Sequence, residues 1–132
     1  MPLTRVFLRK GKPAAYRQAI LTGLYEAMRE TFDVPETDYF MLVSEQEEAD
    51  IWCSPTYLGV ARSDDLVIIQ LTVNNTRTLA QKRALYRRIT EKLAAKPGLR
   101  PEDVFINLVE TRAENWSLGH GLAQYARDEA AA

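Results

Sequence analysis

The sequence predicts an α+β fold, an α/β sandwich of a four-stranded sheet with two helices on one face, and three observations carry that reading. Strand-like and helix-like stretches come in the order strand, helix, strand, and the order occurs twice. The second copy follows the first at a constant shift of 65 residues, with Val67 falling where Pro2 stands. Each helix is bounded by residues that start or stop helices. A chain of 132 residues, 46% of them hydrophobic, is long enough to bury one core without staples. A single domain over 1–132 is therefore expected, with β-α-β repeats near 2–44 and 66–110 and a C-terminal arm over 111–132. Right-handed crossovers should pair the two strands of each half in parallel.

The first strand is expected over residues 2–9, and Pro13 then sits where the first turn of a helix has no use for a backbone N–H. Tyr16, Ile20, Leu24, Ala27, Met28 and Phe32 recur mostly at helical steps, giving one buried stripe that ends near Asp33-Val34-Pro35. Tyr39 to Val43 reads as the second strand. The run Leu66 to Val73 is apolar at alternating and intervening positions, which predicts a third strand covered on both faces. Thr78-Leu79-Ala80-Gln81 is a capping box that opens the second helix. Leu85, Tyr86, Ile89 and Leu93 form its stripe, Lys96-Pro97-Gly98 stops it, and Val104 to Val109 is the closing strand. The junction Val34-Pro35-Glu36-Thr37-Asp38-Tyr39-Phe40 is echoed by Arg100-Pro101-Glu102-Asp103-Val104-Phe105. Two helices cover only one sheet face, so the other face is expected to pack on further copies of the chain.

Composition removes several classes of function. Seventeen basic against eighteen acidic residues give no basic field for nucleic acid. No stretch approaches the ~20 apolar residues of a membrane span, and no signal peptide is recognisable, so a cytoplasmic protein is expected. Cys53 is the one cysteine; it has no disulfide partner and no metal-spaced neighbours, and it reads as a passive thiol. The cluster Glu45, Glu47, Glu48 and Asp50 reads as a solvated loop without the spacing or glycine of a calcium loop.

One residue points to chemistry. A Met-Pro start is a substrate for methionine aminopeptidase, and removal of Met1 would leave Pro2 as a secondary amine anchored to the head of an apolar strand. An ordinary α-amino group titrates at about 8, close enough to neutrality for burial or a neighbouring charge to poise it as general base or general acid.

Pro2, the Pro35-Glu36-Thr37-Asp38 junction and the segment Glu114-Asn115-Trp116-Ser117-Leu118-Gly119-His120-Gly121, set on duplicated βαβ units, together resemble the tautomerase superfamily. The length and the Trp116 to Gly121 segment are similar to its malonate semialdehyde decarboxylase branch, with a likeness running from Pro2 through Tyr125. The resemblance implies a tautomerase-like homotrimer without metal or organic cofactor, working on small 2-oxo or 3-oxo acids. It makes Pro2 the catalytic amine and Asp38 the carboxylate that assists it. The decarboxylase branch carries two arginines after its third strand, whereas this chain reads Thr72-Val73-Asn74-Asn75-Thr76-Arg77-Thr78. Arg77 then stands for the second arginine, and Asn74 replaces the first by a neutral amide. Trp116 and Leu118 match the apolar wall of the site.

A cation beside a helix N-terminus opposes the macrodipole, so Arg77 suggests an anionic ligand. His120, between two glycines, reads as part of a turn, and Tyr125 could reach a neighbouring site through the C-terminal arm. Keto–enol proton transfer by Pro2 on a small 2-oxo acid is the leading expectation. The alternative is cofactor-independent decarboxylation or hydration of a malonate semialdehyde-like 3-oxo acid. A reading from another class is a ferredoxin-like module that binds small acids without chemistry, because the order of elements is the same.

Overall fold

A computed structural model describes residues 2–126; removal of Met1 and the end of the C-terminal arm lie outside the described residues. The strands are β1 (Leu3–Arg9), β2 (Met41–Gln46), β3 (Val67–Asn74) and β4 (Val104–Thr111), and the helices are α1 (Ala14–Phe32) and α2 (Leu79–Ala95). They form one sheet in the order β2-β1-β3-β4. Each half pairs its own strands in parallel, and the halves join through the antiparallel β1–β3 contact. The duplication seen in the sequence is thus the architecture of the sheet.

Alternation fills one face. Thr4, Val6 and Leu8 of β1 and Val67, Ile69, Leu71 and Val73 of β3 are buried beneath Ile20, Leu24, Ala27, Met28 and Phe32 of α1 and Leu85, Ile89 and Leu93 of α2. The helices approach closely at Gly23, where an added Cβ would lie 3.0 Å from Leu93 Cδ2. α1 stops at Asp33, which adopts a left-handed conformation (φ 52°). The capping box forms as read: Gln81 N donates to Thr78 Oγ1 (3.2 Å) and Thr78 N to Gln81 Oε1 (2.9 Å). Beyond α2, Gly98 (φ 101°) turns the chain so that its own N–H and that of Leu99 both donate to Leu93 O.

Four expectations change. β1 begins at Leu3 rather than Pro2, and β2 runs over Met41–Gln46 rather than 39–43. The longer strand is possible because Glu45, on the helix side, is ion-paired to Arg17 at 3.0 Å. The acidic cluster is accordingly no loose loop: Glu47 pairs with Lys10 (3.1 Å) and Glu48 with Arg9 (3.0 Å). β3 is apolar on its helix face, but on the open face only Ile68 is apolar beside Gln70, Thr72 and Asn74, and Gln70 Nε2 donates to Asn107 Oδ1. That open face is mixed, with Leu42, Phe105 and Val109 exposed around a polar centre. Among the described residues no helix is long and apolar enough to cross a membrane.

Candidate active site

The starts of β1 and β2 and the ends of β3 and β4 meet at one end of the sheet. Parallel pairing of Thr4 with Met41 brings Pro2 level with Tyr39, next to Asp38. Antiparallel pairing of Leu3 with Thr72 sets Pro2 across from Val73, one residue before Asn74. Pro2 is buried and Asp38 half-buried. A turn closed by Asp38 N donating to Pro35 O (3.0 Å) delivers the carboxylate to this end.

β4 supplies the wall. Asn75 N donates to Thr111 O, holding the ends of β3 and β4 together, and a single helical turn at Ala113–Asn115 sends Trp116 back over them. Its indole Nε1 donates to Asn74 Oδ1 (2.8 Å) and to Thr111 Oγ1 (2.9 Å). An indole N–H can only donate, so this contact fixes the orientation of the Asn74 amide and leaves Nδ2, a donor, as the group it can offer a ligand. Trp116 is therefore neither core nor free wall; it is a wall residue pinned by Asn74.

Arg77 has a structural partner that its sequence position does not reveal. Its Nη2 donates to Phe32 O, the last carbonyl of α1, at 2.8 Å, and its guanidinium carbon lies 4.8 Å from the centre of the Phe32 ring. A cation there complements the C-terminal end of the α1 dipole, so an anionic ligand is not needed to account for it. Nε takes no part in these contacts.

Leu118 begins a loop clipped by Gln124, whose Oε1 accepts from Leu118 N and whose Nε2 donates to Gly119 O. Gly119, His120 and Gly121 all have positive φ, and His120 lies in the turn as read. The clip presents Tyr125 to the chain's own site: burial, and then the negative charge of Asp38, push its phenol above the usual tyrosine range. Tyr125, which by sequence could reach a neighbouring site, feels the chain's own Asp38 instead, and no local motif signals Gln124. Pro2, Asp38, Asn74 and Trp116 converge, Tyr125 joins them, and Arg77 is turned towards the helix layer.

A family model described as "Tautomerase enzyme" matches residues 38–119. The chain is 39% identical to probable tautomerase YusQ of Bacillus subtilis (strain 168) over 94% of this chain and 98% of that one. It is 31% identical to probable tautomerase YrdN of the same organism, over 95% and 96%. Among solved structures, a malonate semialdehyde decarboxylase superposes with a TM-score of 0.88 at 30% identity, covering 93% of this chain and 95% of that one. The FG41 malonate semialdehyde decarboxylase inhibited by 3-bromopropiolate gives 0.87 at 33%, covering 93% of each. A fused 4-OT wild type symmetric trimer shares the fold, with a TM-score of 0.75 at 22% identity over 91% of this chain and 94% of that one.

Proposed function

The chain belongs to the tautomerase family of enzymes, and from that premise we propose that it interconverts enol and keto forms of a small 2-oxo acid with the Pro2 amine, freed by removal of Met1. The observation that carries this reading is the position of Pro2: buried, at the head of β1, between the Asp38 turn and the Asn74–Trp116 pair. Burial disfavours a charged amine, so the neutral form is available as a general base near neutral pH. In the ketonising direction the amine takes the proton of the enol hydroxyl, the electron pair forms the carbonyl, and the same proton is returned to the adjacent carbon. Asp38 stabilises the ammonium while it exists. Asn74 Nδ2 holds the substrate carboxylate, the Arg77 charge attracts it from the helix layer, and Trp116 and Leu118 keep water from the reacting carbon. Ketonisation of phenylenolpyruvate by protein confirmed by intact mass to begin at Pro2 tests this reading. Pro2→Ala should lower the rate by about a hundredfold or more, the usual contribution of a general base; equal rates would discard the amine.

The likeness to two malonate semialdehyde decarboxylases, at 30% and 33% identity, favours a second reading. A protonated Pro2 beside Asp38 would polarise the carbonyl of a 3-oxo acid, the bond to the carboxylate would break, and the carbanion equivalent would take a proton from the amine as carbon dioxide left. Comparing turnover of phenylenolpyruvate and malonate semialdehyde by one preparation separates the two.

The working unit in this proposal is a homotrimer. Support comes from the exposed Leu42, Phe105 and Val109 on the open sheet face and from the shared fold with a protein described as a symmetric trimer. Sedimentation at micromolar protein should give three chains per particle, and a fully active monomer would contradict it.

A further inference from the structure

The shift of 65 residues continues past the strands. The helical turn Ala113–Asn115 has its counterpart in Glu48–Asp50, and the bond Asn75 N to Thr111 O has its counterpart in Lys10 N to Gln46 O, both 2.8 Å. The turn at Pro35–Asp38 likewise matches the one at Arg100–Asp103. The same shift carries the Pro2 site to the opposite end of the sheet, and a cavity of about 210 Å³ is found there. Three of its lining residues are counterparts of the site residues: Arg9 for Asn74, Ile51 for Trp116 and Cys53 for Leu118.

We propose that this cavity is a second, non-catalytic pocket that binds a small monocarboxylate. Catalysis is absent from it because Val67, the counterpart of Pro2, is mid-chain, where its nitrogen is an amide without a basic lone pair. Recognition is stronger than at the first site: a guanidinium stands where Asn74 offers only an amide, and Arg62 adds another. Arg62 Nη1 is held by the carbonyls of Tyr57 (3.1 Å) and Val60 (3.2 Å), and among the described residues Arg62 makes no ion pair. Arg9 Nε is buried and, among the described residues, has no hydrogen-bond acceptor.

Carboxylates already bind at this place. Arg9 contacts Glu48 (3.0 Å) and Asp64 (3.3 Å), whose side chains are 83% and 85% exposed. Such wet ion pairs contribute little and exchange readily for another carboxylate. Asp64 lines the cavity and Glu48 reaches Arg9 from outside it, so a ligand that displaces Glu48 meets two guanidiniums and one carboxylate, a single positive charge. That balance selects a monoanion. At roughly 30 Å³ per water molecule, the cavity has room for a short-chain acid and several waters.

The test needs no turnover and is independent of the Pro2 mechanism. The chain has two tryptophans, Trp52 and Trp116. Trp116→Phe leaves Trp52, which lines the cavity, as the sole indole reporter. Titration of that variant with propionate at constant ionic strength should change its fluorescence saturably. Adding Arg62→Met should weaken the apparent affinity about tenfold or more, the effect of one lost charged hydrogen bond. Arg62→Lys, which keeps the charge but not the fork, should fall between and controls for folding. A linear response, or a midpoint that Arg62→Met leaves unchanged, would overturn the proposal.

Discussion

The two ends of the sheet were built from the same repeat and have come to differ in what their matched aspartates do. Asp103 is fully buried and accepts from Ser63 N (2.7 Å) and Ser63 Oγ (2.6 Å), tying the chain entering β3 to the start of β4. Asp38, its counterpart, is half-buried beside Pro2 and acts on the Tyr125 phenol through its charge. Where the chain continues through the site, the carboxylate has become a fastening. Where the chain begins, the carboxylate lies beside Pro2 and Tyr125. One turn geometry thus fastens the sheet at one end and, in the proposed function, serves chemistry at the other.

The largest effect should separate these roles. Asp103→Ala removes the buried carboxylate that accepts two hydrogen bonds from Ser63 and should cost about 3 kcal/mol in urea unfolding. Asp38→Ala should cost well under half of that while lowering the phenylenolpyruvate rate by about tenfold or more. Comparable losses of stability in the two variants would erase the distinction.

How much of this was legible follows from how far apart the partners lie. The capping box spans Thr78 to Gln81, and the stripe of α2 repeats within its own helix, so both could be read from neighbouring residues. Pro2, Asp38 and Trp116 are proposed as site residues on motifs at fixed places in the chain. Ser63 and Asp103 are separated by 40 positions, Asn74 and Trp116 by 42, and Phe32 and Arg77 by 45. No periodicity links such pairs, because only the closed sheet brings them together. The error in β2 has the same origin: Glu45 looked like the start of a loop until Arg17, on another element, neutralised it.

A middle-sized effect probes Arg77 and Asn74. Lys12, the counterpart of Arg77, is ion-paired to Asp65 at 2.8 Å, which raises its pKa, whereas Arg77 caps α1 through a neutral carbonyl and keeps its charge unpaired by any carboxylate among the described residues. Arg77→Met should therefore lower stability by about 1 kcal/mol and also raise KM. Asn74→Leu should raise KM while shifting the emission of Trp116, whose indole loses one acceptor. A loss of stability at Arg77 with KM unchanged would confine that residue to capping.

The smallest effect concerns the helices, where the halves differ by charge. α1 presents Glu26 and Glu30, and α2 answers with Arg88 and Lys92: Lys92 Nζ lies 2.8 Å from Glu26 and 3.1 Å from Glu30, and Arg88 Nε donates to Glu30. The counterparts of Glu30 and Lys92 are Ala95 and Ala27, so the attraction between the halves runs one way only. Hydrogen bonds from Arg88, then from Lys92, hold the Glu30 carboxyl down to about 2. A carboxyl depressed on folding contributes stability that is fully present above its ordinary value and is lost as pH falls from about 4.5 to about 2. Because the network is wet, that contribution is small. Glu30→Gln should thus shift the melting temperature at pH 7 by a degree or two at most, and the difference from the parent should vanish by about pH 2 or in high salt. A large difference persisting at pH 2 would mean that Glu30 supports the helix pair through packing rather than charge, and that the two halves are matched here by shape and not by sign.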